Sequence, residues 1–201
     1  MKSFFYQFKV DDLIKTYKKN LLEQQGNVGN PKDKTQYKTV LYEIETKDKY
    51  VDKNGKQHNK EFFLNLENLI ENLIKENGVE SGFVVCSSGT STASVYVNHF
   101  EEGAMNDLSK ALRKKFSKAS PKGMFSFLKA KKNLDKKDNA KEAIPADKIV
   151  PIAKATAIGR TAMVLIIGGK LSLGKFDNVV YAEFDYDPEA TFTVAIYSDV
   201  D

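Results

Sequence analysis

From Thr39 to Tyr197 the chain repeats one pattern: short apolar or alternating runs joined by connections of hairpin length, interrupted by only two amphipathic helical stretches. Parallel winding needs a crossover of a dozen or more residues, usually a helix, after each strand. This pattern therefore excludes a doubly wound α/β fold and predicts an α+β domain on a largely antiparallel sheet.

Tyr42 and Ile44 alternate with Glu43 and Glu45 in a first strand near Thr39–Lys49. Asn54-Gly55 then supplies a dipeptide that tolerates the positive φ angles of a tight hairpin. Leu66, Leu69, Ile70, Leu73 and Ile74 recur at helical spacing between Asn65, a capping residue, and Gly78, a terminator. Gly82–Ser87 and Ala93–Asn98 read as buried strands separated by the hydroxyl-rich loop Ser87–Thr92. A second helix begins near Gly103 and buries Met105, Leu108, Leu112 and Phe116. The chain returns to β pattern at Ala162–Ile167, turns at Gly168-Gly169 into Lys170–Leu173, and ends in the pair Val179–Phe184 and Thr191–Tyr197. Ahead of this body, Asp11 caps a helix carrying Val10, Leu13, Ile14, Tyr17 and Leu21, and the polar stretch from Gln25 to Lys38 reads as a linker. The predicted organisation is an N-terminal helical extension and linker over 1–36, then one domain over 37–201 with a Lys-rich insertion at 113–148.

Composition narrows the chemistry. The chain has 201 residues with two His, one Cys and no Trp. A zinc site needs about four Cys or His ligands, so a Cys/His zinc site is excluded, as is a disulfide within the chain. No run approaches the roughly 20 apolar residues of a membrane span, and the Met-Lys start lacks a signal peptide's apolar core. A soluble, cytoplasmic protein without membrane contact is expected. The net charge of +4 is local in origin: Arg113–Glu142 holds 11 basic residues against 3 acidic. This stretch reads as a solvated insertion; with Phe116, Phe125 and Phe127 among its lysines, the alternative is docking to an anionic partner such as nucleic acid.

Three stretches in order carry a resemblance. Thr92-Ala93-Ser94-Val95-Tyr96-Val97-Asn98 leads into Glu101-Glu102-Gly103; Lys154-Ala155-Thr156-Ala157-Ile158-Gly159 is followed by Gly169-Lys170-Leu171-Ser172-Leu173-Gly174; and Tyr181-Ala182-Glu183-Phe184-Asp185 closes the set. Together they resemble the YjbQ-like family, described as secondary thiamine-phosphate synthases, from about Tyr37 to the C-terminus. The resemblance implies a β-sandwich-like α+β fold and a homotrimer with ligand clefts near the subunit boundaries.

The departures bear on function. The family's His before Thr-Ala-Ser is Thr90 here, and its second His, two residues before the Lys of Lys-Ala-Ser, falls at Ile152. Asn98 is kept, but the following Glu and Asn become His99 and Phe100, and Trp-Gln becomes Phe176-Asp177. Neither Thr nor Ile titrates near neutral pH, so the inherited chemistry is disarmed.

The expected protein is thus a diverged, non-catalytic member: no catalytic residues, no cofactor, and an oligomeric binding or structural role toward a small anionic or phosphorylated ligand. Candidate ligand contacts are Ser88, Thr90, Ser91, Thr92, Ser94, Asn98, His99 and Lys154, with the loop hydroxyls and N–H groups forming an anion nest to which Lys154 and Lys170 add charge. The loop also reads as a plain tight turn. The alternative is an enzyme with a rearranged site, which requires His99 to face the same cleft as Ser94 and Lys154. The acidic pairs Glu101-Glu102 and Asp185–Asp187 read as turn residues or a divalent-cation site, and Cys86, in an apolar run, as inert packing.

Overall fold

The computed structural model describes residues 1–26, 41–51, 57–116 and 148–199. In chain order these form β1 (Lys2–Lys9), α1 (Val10–Gly26), β2 (Leu41–Val51), β3 (Gln57–Asn65), α2 (Glu67–Glu76), β4 (Ser81–Ser88), β5 (Ala93–His99), α3 (Glu102–Phe116), α4 (Ile149–Ile158), β6 (Thr161–Ile167), β7 (Lys170–Leu171), β8 (Asp177–Glu183) and β9 (Thr191–Ser198). The Asn54-Gly55 turn, residues 27–40 of the predicted linker, and residues 117–147 of the Lys-rich stretch with Phe125 and Phe127 lie outside the described residues. No helix among those described is long and apolar enough to cross a membrane.

The antiparallel strands form two sheets, in keeping with the β-sandwich-like fold that the resemblance implies. One runs β1-β9-β4-β6-β7, the other β2-β3-β8-β5. Their inner faces share a core in which Val84, Cys86, Val164, Ile166, Phe192, Val194 and Ile196 of the first sheet meet Leu64, Val95, Val179 and Tyr181 of the second. The far face of the second sheet carries its own core, where Phe63, Val180, Ala182 and Phe184 pack against Met105 and Leu112 of α3 and Ala155 of α4. β8 is therefore buried on both faces, which explains why Val179–Phe184 reads as a continuous run instead of an alternation.

Three sequence expectations change. β4 and β5 lie in different sheets, so Ser87–Thr92 is a crossing between layers and not a hairpin turn. The N-terminus is no appendage: β1 pairs with β9 along its whole length, and Val10 and Ile14 are buried in the intersheet core. Finally, α4 has the sequence IVPIAKATAI, apolar on nearly every side, so it shows no 3.6-residue period for a sequence reading to find. The predicted α2 holds, with Asn65 Oδ1 accepting the Glu67 N–H at 2.9 Å and Gly78 at φ +61° beyond its end.

Gly82 shows how closely the first sheet is fitted. It has φ +146°, and a Cβ there would lie 1.9 Å from the Tyr197 carbonyl oxygen of β9. Gly82→Ala is expected to lower stability by about 2–4 kcal/mol, combining backbone strain with a forced shift of β9, measurable by urea denaturation. Alanine at Gly78, where a Cβ meets nothing within 4 Å, isolates the strain alone and should cost less.

Candidate functional site

The residues read as site candidates separate into two groups at opposite ends of β5. At the N-terminal end, Lys154 projects from α4 into the helix-facing core and is fully buried. Its Nζ lies 2.6 Å from Glu61 Oε1 on β3, and the other Glu61 oxygen accepts a hydrogen bond from Ser109 of α3 at 2.8 Å. The Lys154 ammonium also sits 5.9 Å from the Phe184 ring centroid. Ser94, buried on β5, donates to the Ala155 carbonyl at 3.2 Å. These contacts pin α4 to β3, α3 and β5. Lys154 is spent on an internal carboxylate and offers no charge to an anionic ligand.

The crossing loop is equally occupied. The Ser88 N–H donates to the Arg160 carbonyl, the Gly89 N–H to the Thr191 carbonyl, and the Thr90 N–H to Ser88 Oγ. Ser88 Oγ donates in turn to the Thr90 carbonyl at 3.1 Å, a carbonyl that also accepts from the Arg160 guanidinium. Residues 88–90 therefore turn their N–H groups inward, and the expected anion nest is not formed by them. The crossing runs close against β9 at Gly89, where a Cβ would lie 2.4 Å from Thr191 Oγ1 and 3.0 Å from the Thr191 carbonyl oxygen. Ser91 is exposed.

Beneath this loop lies a carboxylate that the sequence reading placed only within a motif. Glu183, fully buried on β8, accepts hydrogen bonds from Thr92 Oγ1 at 2.9 Å and from the Tyr181 hydroxyl at 2.6 Å. Burial pushes its carboxyl from 4.5 up to about 7, against the opposing pull of the Tyr181 and Thr92 hydrogen bonds. Burial and the Glu183 charge in turn drive the Tyr181 phenol well above its ordinary value. A buried carboxyl under the loop supplies no positive charge to an anion there. Cys86 is inert as expected, its thiol pushed up to about 12 by burial.

Asn98 and His99 occupy the other end of β5. Ser94 pairs with Ala182 and Asn98 with Asn178, on the helix-facing side, whereas His99 pairs with Asp177 on the opposite side. Four strand residues, roughly 13 Å, separate Ser94 from Asn98. His99 stands half exposed, its Nδ1 3.8 Å from Glu101 Oε2 and its ring 5.6 Å from that of Phe176. Asn98 Oδ1 accepts the His99 N–H. The rearranged site uniting His99, Asn98, Ser94 and Lys154 is therefore not assembled within this chain. Lys170 lies opposite Ile167 at the far end of β6 from Thr161, which pairs with Ser87, so it adds no charge to the loop. Ile152 is half-buried on α4.

The Asp185–Asp187 pair is also engaged, whereas Glu101 and Glu102 are exposed. Asp185 is buried and ion-paired with Lys148, and Asp187 Oδ1 accepts the Glu189 N–H. Among the described residues no group of three or more His, Cys, Asp or Glu is placed to hold a metal ion. Glu61 was missed in sequence because its strand, QHNKEFFLN, carries it at the polar-to-apolar boundary, where an acid reads as solvated. Glu183 had a usable signal, a lone carboxylate inside an apolar run.

Residues 53–199 match the family model described as UPF0047 protein YjbQ-like. No functionally curated protein matches the chain. Similar solved structures include a YbjQ-like protein of unknown function from Sulfolobus solfataricus, with 19% identity and TM-score 0.53 over 79% of this chain and 95% of that one. A hypothetical protein from Aeropyrum pernix gives 20% identity and TM-score 0.52 over 81% of this chain and all of its own. An uncharacterised conserved protein of the YjbQ/UPF0047 family from Clostridium acetobutylicum gives 22% and 0.50 over 79% of this chain and all of that one.

Two stability measurements test the buried groups. Lys154→Met leaves Glu61 as an unpaired buried charge and should cost about 3–5 kcal/mol, while Lys154→Met with Glu61→Leu should recover most of the loss. For Glu183, a folded value near 7 against 4.5 unfolded means that the native state holds a proton the unfolded chain releases. Its stabilising contribution is complete below pH 4.5 and disappears as pH rises through 7, a swing of about 3 kcal/mol. Denaturation midpoints from pH 4 to 8 should show this fall, and Glu183→Gln should flatten it.

Proposed function

The chain belongs to the YjbQ-like family, and from that premise we propose that it is a non-catalytic, self-assembling member that acts as a structural or binding scaffold. The carrying observation is the outer face of the first sheet. There the register aligns Phe5, Ala195, Val85 and Met163 in one cross-strand row, and Tyr197, Phe83 and Leu165 in the next. Phe83 stacks on Tyr197 with centroids 4.7 Å apart, and Phe5 meets the same ring edge-on at 5.9 Å. Phe5, Met163, Leu165 and Ile167 are each 57–68% exposed. A sheet face this apolar on a single chain is the signature of a surface that another protein covers. The occupant we assign is further copies of the same chain, in the homotrimer that the family resemblance implies.

The non-catalytic part rests on Thr90 and Ile152 standing where the family has histidines, and on the internal use of Lys154, Ser94 and residues 88–90. An anionic ligand at the crossing loop would depend on Ser91 and the Arg160 guanidinium, so the scaffold form is the reading that the geometry favours. The enzymatic alternative lacks support, because His99 faces away from Ser94 and Lys154.

Light scattering should give a trimer mass, and Leu165→Lys with Met163→Lys, placing two ammonium groups on the exposed face, should yield a folded monomer. A wild-type monomer would end the self-assembly reading. An intact trimer in the double variant would move the interface elsewhere.

A further inference from the structure

The end of the molecule carrying His99 has a second feature, independent of self-assembly. A cleft of about 330 Å³ opens between the end of β5, the start of α2 and the turn from β7 into β8. We propose that this cleft is a binding site for a small organic cation with an apolar body.

Leu171, Leu173 and the nearly buried Phe100 supply the apolar part of a lining whose accessible surface is otherwise largely polar. The mouth is aromatic. Phe176 is 61% exposed and lies beside the His99 ring, an exposure that the local backbone imposes. Its turn is built tightly: the Asp177 N–H donates to the Gly174 carbonyl at 3.0 Å, and the Asp177 carboxylate folds over Gly174 so closely that a Cβ there would lie 2.5 Å from Oδ2. Phe176 is thus presented by a fixed loop.

The charge around this wall selects the ligand. Asp177 and Glu67 both line the cleft, Glu101 stands next to His99, and Asn178 Nδ2 donates to the Glu67 carboxylate and orients it. An anion would meet these carboxylates. A bare divalent ion would lack a ligand set, since no three metal-ligating side chains converge among the described residues. An organic cation is suited to both parts, because an aromatic face attracts an ammonium or amidinium through its quadrupole while carboxylates accept its N–H groups. The chain already supplies a stand-in: Lys175 Nζ lies 5.0 Å from the Phe176 ring centroid. A ligand cation takes over that position, and Lys175 swings into solvent.

The cleft is at the small end of the size range of ligand sites, which sets the scale of the probe. Benzamidine offers a flat cation on an apolar ring; benzamide and benzoate are its neutral and anionic counterparts. Titration of the full-length protein by calorimetry and ligand-observed NMR should show benzamidine binding in the millimolar range and benzoate not binding. Phe176→Ala and Asp177→Asn should each weaken benzamidine about two- to fivefold, the scale of an exposed cation–π contact. Lys175→Ala should tighten it by a similar factor, because the competing ammonium is gone, a gain that misfolding cannot mimic. Absence of benzamidine binding, equal binding of benzoate, or indifference to all three substitutions would overturn the proposal.

Discussion

The buried ion pair between Lys154 and Glu61 sits inside the helix-facing core and joins α4 to β3, beside the apolar packing of Phe63, Val180, Ala182 and Phe184 against α3 and α4. Taking two charges out of water costs several kcal/mol per ion, and the cost is offset only when geometry is good and the remaining polar atoms are satisfied. Here Ser109 takes the second carboxylate oxygen and the Phe184 ring lies near the ammonium. The pair thus ties together β3, α3 and α4, with Phe184 just beyond the end of β8 beside it. Removing one partner leaves the other as a buried charge, so the two residues are retained or replaced together.

That constraint also decides what the chain has left for chemistry. Lysine at this place in the motif looks, in one dimension, like a ligand contact; in three it is the counter-ion of a carboxylate 93 residues away. The hydroxyl-rich crossing behaves similarly. Ser88, Thr90 and Thr92 look available in sequence, yet they satisfy the backbone of a strand-to-strand crossing and cover the buried Glu183. Polar groups inside a packed layer are committed to one another, since leaving any unpaired costs about 1–3 kcal/mol. Exposed chemistry is pushed to the periphery, to the apolar outer face of the first sheet and to the cleft beside His99 and Phe176.

Much of the architecture was legible. The amphipathic period of Leu66–Ile74, the Asn65 cap, the hairpin at Gly168-Gly169 and the runs that became β4, β5, β6, β8 and β9 all carry local signals that survive in the structure. β1 and α4 escaped for identifiable reasons. Phe4, Tyr6 and Phe8 alternate inward but adjoin a strong helix pattern, and α4 is buried on so many sides that its period is erased. Of the candidate residues, the absence of histidine at Thr90 and Ile152 was visible at once, while the failure of Ser94, His99 and Lys154 to meet depends on strand register.

The α+β class, the order of most elements and the family frame are written in the sequence, because these rest on local periodicity and residue identity. The fold in three dimensions was needed to assign each strand to its sheet, to set Lys154 against Glu61, to turn His99 to the opposite side of β5, and to place Phe176 at the mouth of a cleft. Each of these is a contact between residues distant in the chain, and strand pairing turns a side chain to one face or the other by a single step of register.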